Sequence, residues 1–97
     1  MAIADDAITV RVRIEGRVQG VWYRAWTVKE ASARDLQGWV RNRGDGSVEA
    51  LFHGPLETVR DMVEACRKGP AKARVEHIAE HPAEPPTESG FRQLPDE

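Results

Sequence analysis

The clearest pattern in the chain is a strict alternation of apolar and polar residues near its beginning. Over residues 8–15 the even positions are β-branched and apolar, whereas the odd positions are polar. Alternation with a period of two is typical of a strand that buries one face. Gly16 and Gly20 then interrupt the pattern, and helix-compatible residues follow over residues 22–35. The sequence therefore predicts a strand, a glycine-rich loop and a helix in succession.

The middle of the chain predicts a hairpin followed by an amphipathic helix. An apolar stretch over residues 36–43 ends at a Gly-Asp-Gly sequence, and an Asp-Gly pair between strand-like runs is a strong hairpin signal. Alternation resumes over residues 48–52 as the second strand of the hairpin. From Leu56 onward the apolar residues recur at helical spacing, and Gly69-Pro70 predicts where this helix ends.

The last part of the chain predicts a less regular strand. Residues 74–81 have strand-like composition, but Val75 and Ile78 are out of strict alternation, which predicts a bulge. Residues 84–90 contain prolines and a glycine and predict a loop, after which residues 91–94 are long enough for a short last strand.

The order β-α-β-β-α-β predicts the α+β class, as a ferredoxin-like two-layer sandwich whose antiparallel sheet carries both helices on one face. The second strand, with Asn42 at its hairpin end, can lie beside the first, which would bring Asn42 close to the glycine-rich loop. One domain is expected over residues 8–94, with a flexible N-terminal tail over residues 1–7 and a C-terminal tail over residues 95–97. Many functions use this fold, so the fold identifies none.

Composition narrows the classes of protein. The chain has 97 residues and a formal net charge of -2, so it has room for one core and one site. This charge argues against a general nucleic-acid-binding protein. The single cysteine excludes an intramolecular disulfide. Residues 1–6 have neither the basic nor the apolar region of a secretory signal, so we expect no such signal. No apolar run approaches the roughly 20 residues that span a bilayer, so we expect a cytoplasmic protein with no membrane or nucleic-acid partner.

The glycine-rich loop is the first candidate site. Such a loop before a helix presents successive backbone N–H groups to one point, where the helix end also favours an anion. Arg24 lies in the predicted first turn and adds a guanidinium. An ordinary strand-to-helix turn with a surface arginine explains the same pattern, so the loop by itself leaves both interpretations open. Val21 and Trp22 follow Gly20, so neither the P-loop nor the dinucleotide-binding motif is present.

Two longer segments resemble the signatures of the acylphosphatase family. The first is Gly16-Arg17-Val18-Gln19-Gly20-Val21-Trp22-Tyr23-Arg24, and the second is Gly38-Trp39-Val40-Arg41-Asn42 followed by Asp45-Gly46-Ser47-Val48-Glu49. The resemblance covers about residues 8–94. It implies a ferredoxin-like fold and hydrolysis of the carboxyl-phosphate anhydride bond of acyl phosphates to a carboxylate and inorganic phosphate, without a metal or cofactor.

The resemblance also implies roles for individual residues. Arg24 and Asn42 would be catalytic. The phosphate-binding residues would be Gly16, Arg17, Val18, Gln19, Gly20, Val21, Trp22 and Arg24. Tyr23 stands where the family commonly has phenylalanine, so its additional hydroxyl needs a partner.

The chemistry of an acyl phosphate is consistent with these roles. A carboxylate of pKa about 4 to 5 leaves without a general acid, so the protein has only to stabilise phosphoryl charge and aim a water. Loop N–H groups and Arg24 suit the first task. The neutral amide of Asn42 suits the second because, unlike an aspartate, it does not repel the phosphate. No carboxylate or histidine is an obvious dedicated general base, so the candidate for the base is the phosphate group of the substrate itself.

The sequence gives less support to a thiolate phosphatase or a metal site. A thiolate phosphatase built on Cys66 would need arginine at position 72, which is Lys72, so we expect Cys66 to be a small buried hydrophobe. His77 and His81 have the spacing of a helical metal pair but fall in a predicted strand, so we expect solvent-exposed histidines and no metal site.

The aromatic and acidic residues have simple explanations as well. The loop does not match RNA-binding sequences, so we expect the aromatic residues to lie in the core or along the site wall. These aromatic residues are Trp22, Tyr23, Trp26 and Trp39. We expect the glutamates on the solvent face, namely Glu15, Glu49, Glu76 and Glu80.

Two functional classes remain open. The first is a monomeric, free-standing acylphosphatase that acts on a small-molecule acyl phosphate, which the presence of Asn42 and the short chain favour. The alternative is a non-enzymatic anion-binding or regulatory domain, or an acylphosphatase-like module that handles carbamoyl phosphate within a larger enzyme. The matched residues all face the phosphate and none reads the acyl group, so we expect a broad substrate range.

Overall fold

The structure, a computed structural model, describes residues 7–97. The elements follow in the order β1 (Ala7–Arg17), α1 (Tyr23–Ala33), β2 (Gln37–Asn42), β3 (Val48–Pro55), α2 (Leu56–Lys68), β4 (Arg74–Pro82) and β5 (Phe91–Gln93). The predicted element order is confirmed. Residues 1–6 of the predicted N-terminal tail lie outside the described residues, whereas Ala7 is not in a tail but begins β1 and pairs with Pro55.

The sheet has five strands in the order β4-β1-β3-β2-β5. β4, β1, β3 and β2 pair antiparallel with one another, whereas β5 pairs parallel with β2. The sheet is therefore mixed and not antiparallel throughout. The arrangement with β2 beside β1 is not the one formed, because β3 lies between them. Both β1 and β2 pair antiparallel with β3 and therefore run parallel to each other. Their connection needs the crossover helix α1, which leaves room for β3 between them.

Both helices pack on one face of the sheet. Val12 and Ile14, from the alternating segment of β1, are completely buried in a cluster that includes Val59 and Met62 of α2. Burying an aliphatic side chain of this size stabilises the fold by about 1.5–3 kcal/mol. The polar residues of the same alternation, such as Arg11, lie on the uncovered face. No helix within the described residues is long and apolar enough to cross a membrane.

Tyr23 joins the start of α1 to the end of α2. Its ring is buried, and its hydroxyl donates a 2.6 Å hydrogen bond to the carbonyl oxygen of Cys66. The hydroxyl that phenylalanine would lack therefore has a partner. Burial, together with Cys66, raises the pKa of Tyr23, so the hydroxyl stays neutral. Burial also raises the pKa of the Cys66 thiol to about 12, and Cys66 is a buried hydrophobe, as expected.

The irregularity predicted for the fourth strand is a β-bulge next to the glycine-rich loop. Glu15 pairs with His77 and Gly16 pairs with Val75, which leaves Glu76 as the additional residue. Gly16 has a φ of 127°, and a Cβ there would clash with the carbonyl oxygen of Arg74. The close approach of β4 therefore requires glycine at this position.

Replacing Gly16 by alanine is expected to destabilise the protein by about 2–5 kcal/mol, because it combines a strained backbone with overpacking. Gly44→Ala is the matched control, since Gly44 lacks a positive φ and a Cβ there would have no described atom within 4 Å. Its effect should stay within about 0.5 kcal/mol. Urea unfolding of both variants measures the difference, and equal losses would contradict this account of the bulge.

Candidate active site

A cleft of about 330 Å³ opens beside the loop that joins β1 to α1. It brings together Arg24, from the first turn of α1, and Asn42, from the end of β2. The residues that line it are Val18, Gly20, Trp22, Tyr23, Arg24, Ala25, Asn42 and Gln93. A larger groove of about 410 Å³ includes Trp39 and Leu51, but it contains neither Arg24 nor Asn42. The smaller cleft is therefore the candidate site.

The loop enters α1 through two residues with left-handed backbone. Gly20 has a φ of 75° and no described atom within 4 Å of where a Cβ would lie. Trp22 has a φ of 68°, and its side chain does not cap the helix. The N–H groups of the first helical turn have no partner within a helix, so an uncapped N-terminus retains free donors. These donors and the positive end of α1 favour an anion in the cleft.

The loop is fastened to the turn between β2 and β3. The Gln19 side-chain amide donates two 2.9 Å hydrogen bonds, to the carbonyl oxygens of Arg43 and Ser47. Val18 and Val21 anchor the loop from below, because both side chains are buried in the core. The loop thereby reaches Asn42 although β3 separates β1 from β2.

The predicted phosphate-binding residues thus divide by position. Val18, Gly20, Trp22 and Arg24 line the cleft. Gly16 and Arg17 belong to β1, where they pair with β4, and they are not among the residues that line the cleft. Gln19 and Val21 support the loop from outside the cleft lining.

The C-terminal residues also contact the site. The Arg24 guanidinium donates a 2.7 Å hydrogen bond from Nη1 to Oδ1 of Asp96, and the Glu97 N–H donates to the Asn42 carbonyl oxygen at 3.0 Å. Local sequence patterns do not predict these two contacts. The pairing of β5 with β2 brings Gln93 and the residues after it to the cleft, and that pairing joins segments far apart in sequence. Asp96 and Glu97, predicted as part of a C-terminal tail, therefore contact the site.

Asn42 is buried at the edge of the cleft, with 8% of its surface exposed. Its Oδ1 atom has no hydrogen-bond partner among the described residues. Buried polar atoms are nearly always hydrogen-bonded, so this amide oxygen calls for an explanation, and binding of a water or a ligand group is one that suits a residue on the cleft wall.

The side chains next to Asn42 in sequence are held on the opposite face of the sheet by Glu49. Arg41 and Arg43 both donate to Oε1 of Glu49, at 2.9 and 3.0 Å, and Arg11 lies 3.4 Å from Oε2. Glu49 is only 5% exposed, so its predicted place among solvent-face residues is wrong. The alternation predicted the correct face, but arginine side chains cover that face at Glu49. Burial raises the pKa of Glu49, but the bonds from both arginines outweigh burial and lower it overall.

The candidate histidines lie away from this chemistry, whereas Tyr23, Trp26 and Trp22 lie in or against the core or on the cleft wall. His77 and His81 are exposed on β4, as expected. Among residues 7–97 no group of three or more histidine, cysteine, aspartate and glutamate side chains could hold a metal ion. Tyr23 belongs to the core and Trp26 packs against it, with ring centroids 5.3 Å apart. Trp22 is exposed along the site wall.

The fold and the cleft together define a ferredoxin-like α+β protein with a site suited to a small anion. The model of the acylphosphatase family matches residues 10–93. The chain is 56% identical over 87 residues to the acylphosphatase of Rhodospirillum rubrum, which covers 90% of this chain and 96% of that protein. It is 58% identical over 85 residues to that of Azorhizobium caulinodans, covering 87% and 91%.

A solved structure agrees with these relatives. The crystal structure of acylphosphatase from Bacillus subtilis matches with a TM-score of 0.84 at 35% identity, covering 90% of this chain and 98% of that one. The chain therefore belongs to the acylphosphatase family, and its activity is that of an acylphosphatase.

The Glu49 ion pairs predict a pH-dependent stability. A lowered pKa in the folded state stabilises the fold above the unfolded value of about 4.3, and this contribution is lost as the pH falls through the folded pKa. Glu49→Gln should therefore cost about 1–3 kcal/mol at pH 7, and the difference from wild type should shrink below about pH 4.3. Urea unfolding across this pH range measures it.

Glu64→Gln is the control for this experiment, because Glu64 pairs with Arg67 on the exposed face of α2. It should change stability little at any pH. A Glu49→Gln penalty that stays constant down to pH 2.5 would show that the charge of Glu49 is not its cause.

Proposed function

We propose that this cleft is the catalytic site, in which the loop of residues 16–22 and Arg24 hold the phosphoryl group of an acyl phosphate and Asn42 orients the attacking water. One observation carries the proposal. The loop residues Val18, Gly20 and Trp22, together with Arg24 and Asn42, line the same cleft.

The phosphoryl dianion is bound by a guanidinium and by backbone donors. A guanidinium donates two parallel N–H bonds to oxyanions, which makes arginine well suited to this group. The contact with the Asp96 carboxylate supports this role, because it places an oxyanion on Arg24. An incoming phosphoryl group competes for the same N–H donors and replaces that carboxylate. Gly16 and Arg17 contribute from β1, where they fix the start of the loop.

Asn42 holds the water that attacks phosphorus. Its amide offers an acceptor, Oδ1, and two N–H donors, so it can orient a water without adding negative charge next to the phosphate. The oxygen of this water forms a bond to phosphorus, and the bond between phosphorus and the acyl oxygen breaks. The carboxylate leaves with the electron pair. The water's protons remain on the inorganic phosphate, whose own oxygen is the proposed base.

The remaining features follow from this reaction. The leaving group needs no acid, and positioned donors stabilise the phosphoryl charge, so the proposed mechanism uses neither a metal nor a cofactor. The partner is a small-molecule acyl phosphate. We propose in addition that the enzyme works in the cytoplasm as a monomer.

Arg24→Ala and Asn42→Ala should separate binding from chemistry. Loss of Arg24 should lower kcat/KM for acetyl phosphate by about 10³-fold or more and weaken the binding of inorganic phosphate. Loss of Asn42 should lower kcat by about 10²–10³-fold while the Kd for inorganic phosphate changes less than about threefold. Kinetics in the presence of a chelator and calorimetric titration with phosphate provide these values.

Arg34→Ala is the matched control for Arg24, since Arg34 pairs with Glu30 and Asp61 outside the cleft. It should retain wild-type turnover. Phosphate binding by the wild type without hydrolysis would instead favour a non-enzymatic anion-binding domain. Full turnover of Arg24→Ala would contradict the proposed site.

A further inference from the structure

We infer that Trp22 is the residue that recognises the acyl part of the substrate, and that it favours acyl phosphates with an aromatic or bulky apolar acyl group. This inference rests on the proposed function, because it places the phosphoryl group at Arg24. It also revises the expectation that no residue reads the acyl group.

The exposure of Trp22 is the first observation. It is 79% exposed, and Leu56, at 38%, is the only other large hydrophobic residue exposed among those the structure describes. A single exposed apolar side chain needs no explanation by itself. Trp22, however, lies on the wall of the cleft that contains Arg24 and Asn42.

The backbone of Trp22 is the second observation. Its φ of 68° and ψ of 20° lie in the left-handed region, which glycine and asparagine occupy with less strain than a bulky aromatic residue. Trp22 precedes the first helical residue, yet its side chain does not cap α1. Neither the backbone nor the helix cap therefore accounts for an indole at this position, and strained residues cluster at functional sites.

The shape of the substrate connects these observations. An acyl phosphate has a charged end and an acyl end, and the cleft has donors for the charged end. Val18 and Tyr23 line the cleft but are almost completely buried, and Ala25 is small, so they offer little apolar surface to a ligand. Trp22 is the large apolar surface available next to the phosphoryl site. An aromatic acyl group can stack on or pack edge-to-face with its indole ring.

The test compares benzoyl phosphate with acetyl phosphate in the wild type, Trp22→Asn and Trp22→Phe. Asparagine tolerates the left-handed backbone, so Trp22→Asn removes the ring with the least distortion of the loop. The ratio of kcat/KM for benzoyl phosphate over that for acetyl phosphate cancels losses common to both substrates. We expect Trp22→Asn to lower this ratio about 5- to 20-fold and Trp22→Phe to restore most of it.

Leu56→Asn is the control, because it removes the other exposed large hydrophobic residue, which lies outside the cleft lining. Its ratio should equal that of the wild type. Equal losses for both substrates in Trp22→Asn, or a ratio within twofold of wild type, would overturn the inference and leave the proposed function intact. Absence of hydrolysis of either substrate by the wild type would contradict the proposed function itself.

Discussion

Two hydrogen bonds from the Gln19 side chain hold together the parts of this site. The loop after β1 and the end of β2 belong to strands that are not neighbours, because β3 lies between them. The Gln19 amide bridges this gap by donating to the carbonyl oxygens of Arg43 and Ser47 on the hairpin turn. These bonds hold the loop against the hairpin turn, and Arg24 and Asn42 line one cleft beside it. The side chain that makes this connection has no need to touch the substrate.

Each side of this connection is rigid for its own reason. On the loop side, Gly16 admits the close approach of β4, and the buried hydrogen bond of Tyr23 attaches the start of α1 to α2. On the hairpin side, Glu49 binds the arginines that precede and follow Asn42. Catalysis by positioning demands such rigidity, because small errors in the placement of a water or a donor are costly in rate. The net charge of -2 gives no indication of this arrangement, since the charges that matter are local.

Much of the fold follows from local patterns, and much of the site does not. Alternation in β1, the Asp-Gly turn and the Gly69-Pro70 stop predict the elements, because each reports the conformation of its own segment. Alternation specifies which face a residue occupies, but it does not specify the neighbouring strand or what covers the face. The place of β3 and the burial of Glu49 were therefore missed.

The site residues illustrate the same limit. Arg24 and Asn42 could be predicted because they fall in motifs that resemble a known family. The contact of Asp96 with Arg24 could not be predicted, since it joins residues far apart in sequence through the pairing of β5 with β2. The left-handed backbone of Trp22 could not be predicted either, because a bulky aromatic residue rarely adopts it.

In the proposed mechanism the cleft aims a water at phosphorus and not at the carbonyl carbon. Hydrolysis of acetyl phosphate in ¹⁸O-labelled water distinguishes the two attacks, with mass spectrometry of both products and subtraction of the uncatalysed reaction. Attack at phosphorus places one labelled oxygen in the inorganic phosphate and none in the acetate. Label in the acetate would show that water attacks the carbonyl carbon, and would contradict the roles assigned to Arg24 and Asn42.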